Sequence, residues 1–244
     1  MLLCLILLIA LTAVARPVAR QANGESEFVG TINRTLKFRM KLTKTGRILN
    51  GSYAYESQGK SLRLKGLLDA DEFDLTETDE RGTETGKFTG KFVTDDWIEG
   101  TWSGGGKKEL PFTAFTPGGK RAPATDANDK ISGEYQRVVQ GRPDKDTSSL
   151  SIWLLKDGSV RVRGYSSWVG NAKTGNVNVG EIDGVYNLKG SAVAVNDGDE
   201  EDDCHFTVTF GANALTVTKD NLHCGGLNVS FNGQYRKTGP PKSQ

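Results

Sequence analysis

Histidine is nearly missing from this 244-residue chain, with two copies, and so are the motifs that would give a histidine catalytic work. There is no G-x-S-x-G nucleophile turn, no H-E-x-x-H zinc pair and no phosphate-binding loop leading into a helix. The loop Gly104-Gly105-Gly106-Lys107-Lys108 has glycines and lysines, but what surrounds it is strand-like, so it reads as a hairpin turn. A net charge of one sign is missing too: 31 Lys and Arg stand against 30 Asp and Glu. No strong field exists to draw in nucleic acid. The basic run Arg34, Lys37, Arg39, Lys41, Lys44 and Arg47 alternates with Leu36, Phe38, Met40 and Leu42, which is the outer face of one strand. No segment shows a helical period, and none beyond the N-terminus is apolar enough to cross a bilayer. A hydrolase built on two distant carboxylates survives these exclusions, because such a pair leaves no local mark.

What the chain does have is a pattern of apolar residue, any residue, glycine, any residue, apolar residue. It runs Phe28-Gly30-Ile32, Leu49-Gly51-Tyr53, Leu64-Gly66-Leu68, Phe88-Gly90-Phe92, Ile98-Gly100-Trp102, Ile131-Gly133-Tyr135, Ile182-Gly184-Tyr186 and Phe231-Gly233-Tyr235. In a strand these positions share one face, so each copy points two apolar side chains inward around a glycine. Glycine there implies a sharp bend or a close neighbouring backbone, as small barrels require.

The N-terminus predicts export. Leu2 to Val14 is an apolar run too short to span a bilayer comfortably, and it ends in Ala13-Val14-Ala15, an A-x-A cleavage pattern. No Lys or Arg precedes the run, so a retained anchor is the competing reading. After cleavage no membrane span remains, and the expected location is secreted or periplasmic. Cys204 and Cys224 are then the remaining cysteines, an even number that suggests a disulfide in an exported chain. A strand at 204–210 followed by a returning strand at 214–219 would bring Cys224 back towards Cys204. Two free thiols are the alternative.

The chain divides into a leader (1–15), an N-terminal segment (16–27), a β unit (28–115), a Pro/Gly/Ala-rich linker (116–130), a second β unit (131–237) and a tail (238–244). Each unit contains eight short candidate strands, the second at 131–139, 148–155, 159–168, 176–186, 187–195, 204–210, 213–219 and 227–236. The expected fold is all-β: two small antiparallel up-and-down barrel-like domains, with β-sandwiches as the alternative. Inside the first barrel, Phe38, Met40, Phe88, Phe92 and Trp102 are the interior candidates. Trp97 and Trp153 read as core.

The stretch Gly175-Asn-Val-Asn-Val-Gly180-Glu-Ile-Asp-Gly184-Val-Tyr186, with Leu188-Lys-Gly190, Cys204 to Phe210, Leu215-Thr-Val217, Cys224-Gly225 and Gly233-Gln-Tyr235-Arg236, resembles a C-terminal module of uncharacterised exported bacterial proteins. Some of these are loosely labelled lysozyme-inhibitor-like. The first unit is similar to another small exported bacterial β module. The matching residues are glycines, cysteines and core apolars, so the resemblance implies a fold and carries no catalytic or binding residue across.

Two features remain as candidate sites. Tyr165, Trp168, Asn171 and Lys173 lie in what reads as a long connection, 165–175, mixing aromatics with small polar residues as interfaces do. The competing reading for Trp168 is a plug at one barrel end. The acidic run Asp197, Asp199, Glu200, Glu201, Asp202 and Asp203 offers oxygen ligands for a hard cation, at spacings unlike a helix-loop-helix calcium site. Its bland alternative is a solvated acidic loop. No cofactor is implied. The reading is an exported, non-enzymatic binding protein for a protein or small ligand, the narrower form being a protein-binding or inhibitor-like module. The alternatives are a carboxylate-pair hydrolase, a small-ligand carrier or an envelope structural module.

Overall fold

Leu36 to Thr45 shows how the sequence becomes sheet: Phe38, Met40 and Leu42 turn inward and are buried, while Lys37, Arg39 and Lys41 face water. The computed structural model of the protein describes residues 23–106, 108–124, 129–139, 142–143, 147–171, 173–198 and 203–241. The predicted leader, residues 1–15, lies outside them, as do Lys107 and the acidic residues Asp199, Glu200, Glu201 and Asp202.

The first barrel comprises β1 (Gly24–Ile32), β2 (Leu36–Thr45), β3 (Ile48–Tyr55), β4 (Ser61–Asp69), β5 (Glu72–Thr78), β6 (Glu84–Thr94), β7 (Trp97–Gly104) and β8 (Leu110–Phe115). Each strand pairs antiparallel with the next, and β8 closes on β1 from Val29–Phe115 to Ile32–Phe112. The first strand begins four residues before Phe28, inside the segment expected to precede the domain. The interior is filled by rings. Phe28, Phe38, Phe88 and Phe112 are at most 1% exposed, and the Phe88 and Phe112 centroids lie edge to face at 5.2 Å. Met40 and Phe92 are also buried, and Trp102 packs partly buried against them. Side chains therefore occupy this interior, leaving the small-ligand reading no space there. One carboxylate lies among the rings: Glu77 accepts hydrogen bonds from the Tyr53 hydroxyl at 2.5 Å, the Thr85 hydroxyl at 2.5 Å and the Trp102 indole at 3.0 Å. Three donors satisfy a group that burial would otherwise penalise.

In the first barrel the repeated glycine marks close backbone approach. A methyl group at Gly66 would sit 1.7 Å from the Asp74 carbonyl oxygen, and one at Gly100 would sit 2.4 Å from Cα of Gly90, its partner across the strand pair. Small barrels bend strands inward at such points.

The second barrel comprises β9 (Gly133–Val139), β10 (Arg142–Pro143), β11 (Ser148–Leu154), β12 (Ser159–Asn171), β13 (Asn176–Lys189), β14 (Ala192–Asp197), β15 (Cys204–Phe210), β16 (Ala214–Thr218) and β17 (Gly233–Gly239). The two-residue β10 pairs with β9, and the other eight close through β17–β9. Leu150, Ile152, Val160, Val162, Val193, Val195, Phe206 and Phe231 fill its core.

Three expectations change here. The expected connection 165–175 is a hairpin: β12 runs on to Asn171, and a turn through Gly175, at φ 71°, leads straight into β13. The two expected strands 176–186 and 187–195 are redrawn, because β13 continues unbroken to Lys189 and turns at Gly190. The expected strand 227–236 begins only at Gly233. Ahead of it, 219–232 is irregular although Val229 and Phe231 are fully buried. The carboxylate of Asp220 supports this segment. It accepts from the Leu222 amide at 2.9 Å, the Phe231 amide at 2.6 Å and the Ser230 hydroxyl at 2.9 Å. A side chain there replaces the partners a sheet would have supplied. The Cys204–Cys224 disulfide ties the same segment to the start of β15.

Candidate binding cleft between the barrels

Strands β11, β12 and β13 pair side by side, so their outward residues fall into rows. Trp153, Arg161 and Val185 form one row, Ser151, Arg163 and Asp183 the next, and Ser149, Tyr165 and Glu181 the third. Further along, Val169 pairs with Val177, and Val179 lies opposite Ser167.

The first row docks on the other barrel. Trp97, Trp153 and Leu155 form a buried cluster, with Val93, Phe115 and Val185 packed against it. The Arg161 guanidinium, fully buried, lies 4.4 Å from the Trp97 ring centre and 4.9 Å from that of Trp153. It donates to both oxygens of Glu99, at 2.9 and 2.7 Å, and its Nε and Nη2 donate to Asp183 at 2.8 and 2.7 Å. Arginine suits this place, since a planar fork can grip two carboxylates and stack on rings at once. The segment after β8 adds to the seam. Asp96 accepts from the Arg121 amide at 2.9 Å, Thr94 donates to the Arg121 carbonyl at 3.0 Å, and the Ala124 amide donates to the Leu154 carbonyl at 2.8 Å. The first part of the expected linker is thus bonded to both barrels, whereas 125–128 lies outside the described residues.

The second and third rows continue past the seam as the floor of a polar cleft of about 440 Å³, with Lys91 of β6 on its wall. Lys91 donates to Asp183 at 2.6 Å, and Arg163 lies 4.0 Å from Glu99. Burial alone would raise the Asp183 pKa. Hydrogen bonds from Arg161, then the charges of Arg161 and Lys91, outweigh burial and hold it down at about 2. For Arg161, burial favours the neutral form, but the bonds to Glu99 and Asp183 win and keep the guanidinium charged. Tyr165 is 40% exposed above this floor.

The four residues grouped in the sequence as a binding loop separate in space. Tyr165 lines the cleft, while Trp168 lies an odd number of residues along β12 and so on its opposite face. Trp168 is partly buried against Gly170, where a methyl group would lie 2.4 Å from the indole. Lys173 is exposed in the hairpin turn, and the Asn171 side chain lies outside the described residues. Asp197 and Asp203 flank the connection between β14 and β15; Asp203 Oδ2 lies 3.3 Å from Nδ1 of His205. Among the described residues no group of three or more His, Cys, Asp or Glu is placed to hold a metal.

Sequence reasoning missed Arg161, Arg163, Asp183, Glu99 and Lys91. One signal was present. Trp153 falls in phase with Ser149 and Ser151, while Leu150 and Ile152 alternate with them, so a tryptophan had to face outward. An outward tryptophan beside an outward arginine marks a second surface.

No protein-family model matches the chain, and no curated protein matches it. Among solved structures it is similar to a protein of unknown function from the DUF3598 family of Nostoc punctiforme. That alignment covers 82% of this chain and 80% of that one at 14% identity, with a TM-score of 0.27.

Proposed function

We propose that this is an exported, non-enzymatic binding protein that recognises its ligand outside the barrels, in the cleft floored by β11–β13. The observation that carries the reading is Tyr165, an aromatic ring left exposed in a polar cleft while the interiors of both barrels are filled by their own side chains. The apolar leader and the Cys204–Cys224 disulfide both fit an oxidising compartment outside the cytoplasm. An inhibitor-like role towards a cell-wall hydrolase, suggested by the C-terminal resemblance, is the protein-partner form of the same reading.

The carboxylate-pair hydrolase is supported less. Such enzymes keep one carboxyl protonated near neutral pH. Asp183, on the cleft floor, is instead held at about 2 by the two cations beside it.

The test is photo-crosslinking in the exporting cell. A benzophenone amino acid replaces Ser149 in the cleft or, as the control, Lys41 on the outer face of the first barrel. The reading requires a discrete adduct from position 149 and none from position 41. Equal labelling from both, or none from position 149, would overturn it.

A further inference from the structure

We infer that the cleft takes an uncharged saccharide. This rests on the cleft being the binding face, and it adds the chemical class of the ligand.

The cations of the cleft stand beside the protein's own carboxylates, and Glu181 adds a further negative charge to its lining. Lys91 is tied to Asp183 at 2.6 Å, and Asp183 is also gripped by Arg161. Arg163 lies 4.0 Å from Glu99, itself held by both Nη atoms of Arg161. A phosphate or carboxylate entering here would have to displace Asp183 from Lys91, and beside Arg163 it would meet the negative charges of Glu99 and Glu181. A neutral ligand with many hydroxyls faces no such competition. It can use the leftover lone pairs and N–H groups of the same ion pairs, since a carboxylate accepts several hydrogen bonds and a guanidinium donates five.

The third row supplies the rest. Ser149, Tyr165 and Glu181 stand in register on adjacent strands. None of the three makes a side-chain hydrogen bond with another described residue, so their donors and acceptors remain open. The Tyr165 ring offers an apolar face between a hydroxyl and a carboxylate. A pyranose has the complementary character, with one face of C–H groups and a rim of hydroxyls. The cleft volume of about 440 Å³ lies within the range of small-molecule sites.

The experiment uses the full chain and ligand-observed saturation-transfer NMR, followed by titration. One set of probes is neutral: maltotriose, cellotriose and triacetylchitotriose. The other is charged: inorganic phosphate and a short Lys/Glu peptide. The inference requires a neutral sugar to bind with transfer to its ring C–H protons. Tyr165→Ala must weaken that binding by about tenfold or more, and Tyr165→Phe by less than about threefold. Lys41→Ala must leave it unchanged. A neutral sugar held equally well by a Tyr165→Ala chain with an unaltered thermal melt would overturn the inference. Phosphate or the peptide binding through Tyr165, with every sugar inert, would also overturn it while leaving the cleft as the binding face. If neither set binds at millimolar concentration, both readings fall.

Discussion

Arg161 of the second barrel and Glu99 of the first form a two-pronged ion pair, Nη1–Oε2 at 2.9 Å and Nη2–Oε1 at 2.7 Å, with side-chain exposures of 0% and 2%. Two charges are thus held out of water at the seam between the barrels. Such a pair adds little net stability, but removal of one member leaves the other stranded.

Arg161→Met therefore strands the buried Glu99 and leaves Asp183 with Lys91 alone. We expect it to lower the unfolding free energy by roughly 3–5 kcal/mol in urea titrations. The double variant Arg161→Met/Glu99→Leu, which removes the stranded carboxylate, should recover part of that loss. Arg161→Lys should also be costly, since an ammonium cannot grip both carboxylates in the plane of a stacked fork. A single variant as stable as the parent would show that the seam is not closed in solution.

Asp183 makes the protein acid-sensitive in a defined window. Its folded pKa of about 2 lies below the unfolded carboxylate value of about 3.9, so the unfolded chain takes up the proton more readily. The stabilisation is complete above about pH 4 and is lost as pH falls through about 2, and it amounts to roughly 2 kcal/mol. Asp183→Asn should be less stable at neutral pH and should show a shallower fall in urea midpoint between pH 4 and pH 2. Parallel curves for the two proteins would contradict the assignment.

Gly100→Ala places a methyl group 2.1 Å from the Thr89 carbonyl oxygen and 2.4 Å from Cα of Gly90, inside a closed strand pair. Overpacking of this kind costs roughly 1–3 kcal/mol. Thermal unfolding should shift down, with the exchange protection of β6 and β7 reduced most. An unchanged melt would mean that the barrel can relax around the added carbon.

The segment 219–232 is held within its length by the disulfide at Cys224 and, from its start, by Asp220, which reaches across to Ser230 and Phe231. In the chain-entropy account, removing the cross-link with Cys204→Ser/Cys224→Ser costs about 3 kcal/mol. Asp220→Ala leaves the buried Phe231 amide without its acceptor and costs roughly 1–3 kcal/mol. Limited proteolysis should then cut first beside Leu222 or Leu227, which are 58% and 78% exposed. Equal resistance in the parent and both variants would show that packing of Val229 and Phe231 alone holds the segment.

The barrels were legible in the sequence because their cause is local and repeated. In the first barrel, a glycine between two apolar residues records at each copy that another backbone passes close by. The disulfide was legible because one hairpin brings its cysteines together. The seam was not. Arg161 and Arg163 alternate with Val160 and Val162 much as Arg39 and Lys41 alternate with Phe38 and Met40, yet Arg39 meets water and Arg161 is sealed between two tryptophans. What differs is the surface opposite, supplied by Trp97 and Glu99 more than sixty residues earlier. Tyr165 was singled out for its composition, and its face was set by pairing that composition does not encode. The irregular path of 219–232 escaped for a related reason: one carboxylate, Asp220, stands in for a strand partner, and no period announces it.

The rows on β11, β12 and β13 separate two kinds of change. Odd-numbered positions from Ser149 to Trp153 and from Arg161 to Tyr165 face outward, and the even-numbered positions between them face the core. The outermost cleft residues, Ser149, Tyr165 and Glu181, can thus be exchanged without touching the residues that fold the barrel. The rows bearing Trp153, Arg161 and Asp183 anchor the strip, and the row beyond them, Ser149, Tyr165 and Glu181, acts like interchangeable type set in a fixed frame. A lineage could alter what it reads there while the press itself stays the same.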